Sequence, residues 1–96
     1  MRIRYTLRAF ADREAIFDYI EQHSPRGALN VMRAIENSIA RLGHFPYSAP
    51  ATDEPDVRQL IVPGRPYKVY YRIVRDEVWI VHIRHTSRRP WRGRGD

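Results

Sequence analysis

Cysteine is absent from the 96-residue chain, so a disulfide framework and a thiolate metal site are both excluded. The absence fits a reducing cytoplasm, which is the compartment we expect. No window approaches the roughly 18 apolar residues of a membrane span, and the first six residues lack the apolar segment of a signal peptide. Glycine-rich phosphate loops, nucleophile elbows and zinc-protease motifs are also missing, and no cofactor is expected.

Acidic residues are scarce in the second half of the chain. Residues 1–55 hold seven arginines and seven acids, whereas residues 56–96 hold ten basic residues and four acids and carry the whole net charge of +6. Such a field attracts phosphate backbones or an acidic protein surface. The alternative is that the arginines reflect base composition and that the tail only aids solubility. We expect one small domain over residues 1–91 and a basic, flexible tail over 92–96.

The densest run of β-branched and aromatic residues, 65–85, predicts a β-hairpin interrupted only at 75–77. A turn at Asp76-Glu77 would place Ile73 opposite Ile80 and Lys68 opposite His85. Apolar pairs on both faces predict two central strands. The open end of this hairpin should carry a cationic edge, formed by Lys68, Arg72, His82, Arg84, His85, Arg88 and Arg89.

The first half of the chain predicts a short edge strand over residues 2–7 and then two helices. The first helix should span residues 8–23, with Phe10, Phe17 and Ile20 in its apolar stripe. Ser24-Pro25 is a helix start signal. The second helix has apolar positions Ala28, Met32, Ile35, Ile39 and Leu42.

Gly43 should end the second helix in the left-handed conformation. A proline-rich loop follows over 44–55, and we expect its aromatic residues Phe45 and Tyr47 to pack beneath the core. A strand over 57–62 then leads into the hairpin. The order β-α-α-β-β-β predicts an α+β fold with two layers, in which an antiparallel helical hairpin packs on one face of a mainly antiparallel sheet.

Three kinds of chemistry can be considered for the open end of the hairpin. His82 and His85 have a metal-ligand spacing, but residues three apart on a strand point to opposite faces, so no metal site is predicted. His85 and Ser87 lack an orienting acid, because the nearest acids in the sequence lie at the far turn. RNA cleavage would use Lys68, Arg72 and Arg88 as cations and His85 for proton transfer. The alternative is that these residues form only a solvated strand face.

The chain resembles the ParE/RelE superfamily of toxins from bacterial type II toxin-antitoxin systems. The similarity covers nearly the whole chain and rests on three segments in order: Arg58-Gln59-Leu60, Pro66-Tyr67-Lys68-Val69-Tyr70-Tyr71-Arg72 and His85-Thr86-Ser87-Arg88-Arg89-Pro90-Trp91. One departure is Arg13, where the family more often has an apolar residue.

The resemblance implies one of two activities. RelE-like members cut messenger RNA on the ribosome, which would assign catalysis to Lys68, His85 and Arg88 with Arg58 and Arg72. ParE-like members inhibit DNA gyrase, which would make the target-binding residues Lys68, Arg72, Arg84, His85, Arg88 and Arg89. The length of the helical hairpin, the His85-to-Pro90 ending and the absence of a tyrosine after Tyr71 favour the ParE branch.

The resemblance also implies a partner, a ParD-like antitoxin whose C-terminal segment wraps the toxin in a hetero-oligomer. An acidic segment would complement the basic half of the chain. A third possibility is a non-toxic module that binds nucleic acid through Tyr70, Trp79 and Trp91.

Overall fold

The computed structural model describes residues 1–87. Arg88, Arg89, Trp91 and the tail 92–96 lie outside the described residues. The elements in order are β1 (Arg2–Tyr5), α1 (Leu7–Glu21), α2 (Pro25–Leu42), β2 (Arg58–Ile61), β3 (Tyr67–Val74) and β4 (Glu77–His85). The sheet order is β1-β4-β3-β2, in which β1 and β4 are parallel and the other pairs antiparallel. The helices cover one face, which confirms the two-layer α+β fold and the central position of β3 and β4.

Both helices begin at capped positions. The Thr6 hydroxyl accepts from the Ala9 amide at 3.1 Å, and the Ser24 hydroxyl accepts from the Gly27 amide at 2.9 Å. The predicted Ser24-Pro25 start is therefore confirmed. The predicted left-handed Gly43 is wrong, because its φ is −64°. Its amide donates to the Ala40 carbonyl at 3.1 Å, so the helix tightens into a final three-residue turn instead.

The core lies between α2 and the sheet, as the period of α2 predicts. Ile35 and Tyr71 are fully buried, and Leu42 is 1% exposed. In α1 only Ala9 is buried. The predicted stripe on α1 is wrong at Phe10, which is 50% exposed, because its neighbour Ala9 takes the core-facing position in this turn. Neither described helix is long and apolar enough to cross a membrane.

The loop between α2 and β2 is fixed through its carbonyls. The Tyr71 hydroxyl donates to the Pro46 carbonyl at 2.7 Å, and Arg58 Nη1 donates to the Ala49 carbonyl at 2.7 Å. These bonds hold the loop while Phe45 and Tyr47 stay 61% and 64% exposed. The expectation that both rings pack beneath the core is therefore wrong.

The β3–β4 hairpin turns one residue earlier than predicted, at Arg75-Asp76. Both residues have positive φ, 49° and 63°, which is the backbone of a two-residue hairpin loop. Val74 consequently pairs with Glu77, and Ile73 pairs with Val78. The predicted pairing of Ile73 with Ile80 is wrong.

The register of the hairpin shifts once along its length. Tyr71 pairs with Ile80 and Tyr70 with His82, so Val81 is an extra residue in β4 and forms a bulge. Beyond the bulge Lys68 pairs with Arg84. The predicted pairing of Lys68 with His85 is therefore also wrong, since His85 pairs with Tyr67.

Candidate functional site

The sheet has one face against the helices and an opposite face, here called the outer face. Core residues of β1, β3 and β4 identify the first face, so their alternating neighbours belong to the outer face. The outer-face residues of these three strands are Arg2, Arg4, Lys68, Tyr70, Arg72, Val74, Glu77, Trp79, His82 and Arg84. Glu77 is the only acid in this set, which makes the outer face strongly cationic.

The open end of the hairpin does not gather the predicted catalytic residues. Lys68 is half-buried on the outer face, beside Arg84, which is buried at 7% exposure and already engaged in a contact. His85 lies on the other face, where its ring meets Tyr67 edge-on with centroids 5.3 Å apart. Lys68 and His85 thus point away from each other. Arg88 and Arg89 lie outside the described residues.

His85 is bound locally by Ser87. Its Nδ1 atom is 3.1 Å from the Ser87 amide and 2.7 Å from the Ser87 hydroxyl. An amide N–H can only donate, so Nδ1 is the acceptor in this contact. No acid contacts this pair among the described residues.

A second histidine of β4, His82, forms a pair with an acid of α1. His82 Nδ1 is 2.6 Å from Asp12 Oδ2, and the Ile83 amide donates to the same oxygen at 3.0 Å. The His82 ring stacks on Tyr70 with centroids 5.8 Å apart. The fold thus brings an acid of α1 to His82, while the described contacts of His85 remain those with Ser87 and Tyr67. Asp12 and His82 are 70 residues apart, and no local sequence signal links them.

Two further predicted cations lie apart from the open end. Arg58 is half-buried, binds the Ala49 carbonyl and lies over the Tyr47 ring at 5.1 Å. Its guanidinium therefore supports the loop. Arg72 is exposed on the outer face and pairs across the strands with Trp79, closer to the hairpin turn.

The turn end of the outer face contains a second group of cations, here called the tip face and formed by Arg2, Arg4, Arg72, Glu77 and Trp79. Arg4 Nε donates to Glu77 Oε2 at 2.8 Å, and Arg2 Nη1 is 4.0 Å from the same oxygen. The hydrogen bond from Arg4 lowers the pKa of Glu77 below its ordinary value. The Arg4 guanidinium also lies over the Trp79 ring at 5.9 Å. The sequence did not reveal this group, because it depends on the parallel pairing of β1 with β4.

The helical layer has a shallow groove of about 350 Å³ between α1 and α2, lined by Arg13, Glu14, Phe17, Leu29, Met32, Arg33 and Glu36. Arg13 spans the two helices through an ion pair with Glu36, and this hydrogen bond raises the pKa of Arg13. The departure at Arg13 is therefore accommodated by a polar link between the helices. Within residues 1–87, no group of three or more His, Asp or Glu side chains is placed to hold a metal ion.

Comparison with known proteins identifies the family. Residues 3–90 match the family described as ParE toxin of type II toxin-antitoxin system, parDE. The chain is 36% identical over 90 residues to Toxin RelE2 of Caulobacter vibrioides, covering 91% of this chain and 97% of that protein.

Solved structures show the same fold. A chain of the chromosomal ParDE TA system from P. aeruginosa superposes with a TM-score of 0.80 at 26% identity, covering 91% of this chain and 97% of that one. A chain of the intact E. coli RelBE toxin-antitoxin complex superposes with a TM-score of 0.68 at 12% identity, covering 91% and 98%. The second similarity concerns the fold alone.

The two-layer fold and these matches define a toxin of the ParE/RelE superfamily. The chain belongs to the ParE toxin family of type II toxin-antitoxin systems. The resemblance inferred from the three sequence segments is thereby confirmed.

Proposed function

We propose that the protein inhibits DNA gyrase and arrests growth unless an antitoxin neutralises it. The observation that supports this proposal most is the similarity to the ParDE structure, with a TM-score of 0.80 against 0.68 for the RelBE chain. The family match over residues 3–90 points the same way. Because gyrase acts on chromosomal and plasmid DNA, the proposed site of action is the cytoplasm.

The arrangement of the described basic residues also favours binding over RNA cleavage. A ribonuclease needs a proton acceptor and a cation converging on one phosphate. Lys68 and His85 point to opposite faces, and Nδ1 of His85 is occupied by Ser87. Arg58 is committed to the Ala49 carbonyl. Three residues of the alternative catalytic set are therefore dispersed.

The proposed partner is a ParD-like antitoxin that forms a hetero-oligomer with the toxin. The related structures support it, because one is described as a ParDE system and the other as a RelBE toxin-antitoxin complex. The outer face holds five Arg or Lys residues and one acid among the strand positions defined above, so an acidic antitoxin segment would be attracted to it.

We further propose that the target contacts the outer face, where Arg72 is exposed and Lys68 is half-buried. Arg84 would support this surface from its buried position, whereas half-buried His85 lies on the opposite face of β4, so its part in target binding would be indirect. Arg88 and Arg89, which lie outside the described residues, complete the proposed set. Loss of an interface charge such as Lys68 should weaken target binding by about 1 to 3 kcal/mol, with strong salt dependence.

Inducible expression tests the toxin proposal in cells. Expression in a bacterium without the partner gene should arrest growth, and co-expression of the antitoxin encoded beside the toxin gene should restore it. Normal growth at verified soluble expression would refute the proposal. A gene with a single-nucleotide frameshift near its start, whose messenger RNA is otherwise identical, is the matched control.

The second candidate function is ribosome-dependent cleavage of messenger RNA. The 36% identity to a protein named Toxin RelE2 is the observation that favours it. Purified chain added to translating ribosomes would then produce cuts in messenger RNA that His85→Ala abolishes. We expect no such cuts.

A further inference from the structure

We propose that the tip face binds the phosphate backbone of duplex DNA. This inference does not depend on gyrase being the target, because it concerns direct contact between the protein and nucleic acid. The residues that carry it are Arg2, Arg4 and Arg72 as cations, with Glu77 as a built-in competitor for the two arginines of β1.

The spacing of the two arginines on β1 suits the closely spaced phosphates of DNA. Arg2 and Arg4 stand on the same face two residues apart, which corresponds to about 6.6 Å along a strand. Such a spacing lets the two guanidinium groups reach different phosphates of one duplex, because the charges of duplex DNA are closely spaced, about 3.4 Å of helix axis per phosphate of each strand. Arg72 lies two strands across the sheet from Arg4, because Trp79 of β4 pairs with both residues. The three guanidinium groups thus form a triangle on a sheet surface.

These cations are available to a ligand. The side chain of Arg2 is 69% exposed and that of Arg4 is 43% exposed, and Arg72 is also exposed. Arginine binds phosphate through two parallel N–H groups, which lysine cannot do. The open end of the same face differs, because Tyr70, His82 and Arg84 are buried there. The exposed guanidinium groups of β1, β3 and β4 on the outer face are therefore those of the tip face.

The surroundings of Trp79 favour duplex DNA over single-stranded DNA as the ligand of the tip face. Proteins that bind single strands use exposed aromatic rings on which bases stack. The Trp79 ring is half-buried and has the Arg4 guanidinium over it at 5.9 Å, so a base that stacked on this side of the ring would have to displace Arg4. Recognition is then limited to phosphates, and duplex DNA presents the higher density of them, one charge per about 1.7 Å.

Glu77 provides a test that misfolding cannot imitate. It accepts a hydrogen bond from Arg4 and lies 4.0 Å from Arg2, so it occupies the position that a phosphate oxygen would take. Glu77→Gln should remove the repulsion and release both arginines. Affinity for DNA should then rise, whereas a destabilised protein would lose affinity.

The experiment measures fluorescence anisotropy of a labelled duplex of arbitrary sequence with purified full-length protein, over a series of salt concentrations. Arg4→Ala and Arg72→Ala should each weaken binding by about 3-fold to 10-fold at low salt and reduce the slope of log K against log salt by about one. Glu77→Gln should strengthen binding by about 3-fold or more.

Arg26→Ala is the charge-matched control, because Arg26 is exposed at the start of α2 in the helical layer. It should change affinity less than 2-fold, roughly the level of a general change in net charge. The basic residues after Ser87 are unchanged in every variant, so any contribution they make to DNA affinity cancels in the comparison. An equal loss in Arg26→Ala and Arg4→Ala would overturn the proposal, as would unchanged affinity in Glu77→Gln. Tighter binding to a single strand of the same length, or to a poly-glutamate peptide of equal charge, would also overturn it.

Discussion

Asp12 joins α1 to β4, and its removal should destabilise the protein strongly. One carboxylate oxygen accepts two hydrogen bonds, from His82 Nδ1 at 2.6 Å and from the Ile83 amide at 3.0 Å. The side chains are only 7% exposed at His82 and 21% exposed at Asp12, so water cannot replace both bonds without opening the contact. Asp12→Ala would remove the acceptor that these two buried donors share.

The expected magnitude follows from those two donors. A buried donor that loses its acceptor costs about 1 to 3 kcal/mol. Because the two bonds share one acceptor and water can reach part of the site, we expect Asp12→Ala to lower the free energy of unfolding by about 2 to 4 kcal/mol. That is a large part of the roughly 5 to 15 kcal/mol typical of small domains. Asp12→Asn keeps one acceptor oxygen and should lose about half as much.

Urea denaturation followed by circular dichroism and by Trp fluorescence measures this change. Asp18→Ala is the matched control, because it removes the same charge from an exposed position of the same helix and should stay within about 0.5 kcal/mol. Equal stability of Asp12→Ala and Asp18→Ala would refute the idea that Asp12 fixes α1 to the end of β4.

Three other changes test the fold and the tip face. Ile35→Ala should lower the free energy of unfolding by about 2 to 5 kcal/mol, because Ile35 is fully buried in the core; an unchanged melting temperature would contradict the packing of α2. Tyr71→Phe should cost about 0.5 to 1.5 kcal/mol through the lost bond to the Pro46 carbonyl, and protease cleavage of loop 44–55 should accelerate; unaltered cleavage would show that the bond does not hold the loop. Folding lowers the pKa of Glu77 below the ordinary value of 4.5 because Arg4 donates a hydrogen bond to the carboxylate. The ionised Glu77 side chain therefore stabilises the fold at a pH above 4.5, and this stabilisation is lost as the pH falls through the folded-state pKa. The stability difference between the parent protein and Glu77→Gln should therefore shrink on acidification, and a constant difference would contradict the ion pair.

The order of elements and the core were predictable because they depend on local patterns. The Ser24-Pro25 start is a local hydrogen-bonding and backbone signal, and the spacing of Ile35, Ile39 and Leu42 reflects one face of a helix. The fold was also predictable from the three family segments. These features require no knowledge of which distant residues meet.

The hairpin register was not predictable in the same way. Arg75 and Asp76 adopt positive φ without glycine or asparagine, so the turn has no strong sequence signal, and the bulge at Val81 shifts the pairing again. Each one-residue shift changes which side chains face each other. The prediction that Lys68 and His85 face each other was wrong for this reason.

The sequence indicated that basic residues form the candidate site, but it did not indicate how the fold arranges them. The basic second half of the chain contributes Lys68, Arg72 and Arg84 to the outer face. Its most exposed arginines, however, include Arg2 and Arg4, which come from the first strand through a parallel pairing with β4. The burial of His82 against Asp12 likewise depends on where α1 crosses the sheet edge. Both contacts join residues more than 65 positions apart.

Inhibition of DNA supercoiling tests the central claim most directly. Purified toxin is titrated into DNA gyrase with relaxed plasmid and ATP, alone and with equimolar antitoxin, in parallel with Lys68→Ala and the control Arg26→Ala. We expect the parent protein and Arg26→Ala to block supercoiling, the antitoxin to restore it, and Lys68→Ala to inhibit less in proportion to weakened binding. Undiminished supercoiling at saturating toxin, together with ribosome-dependent cuts in messenger RNA by the same preparation, would contradict the gyrase proposal and establish the ribonuclease.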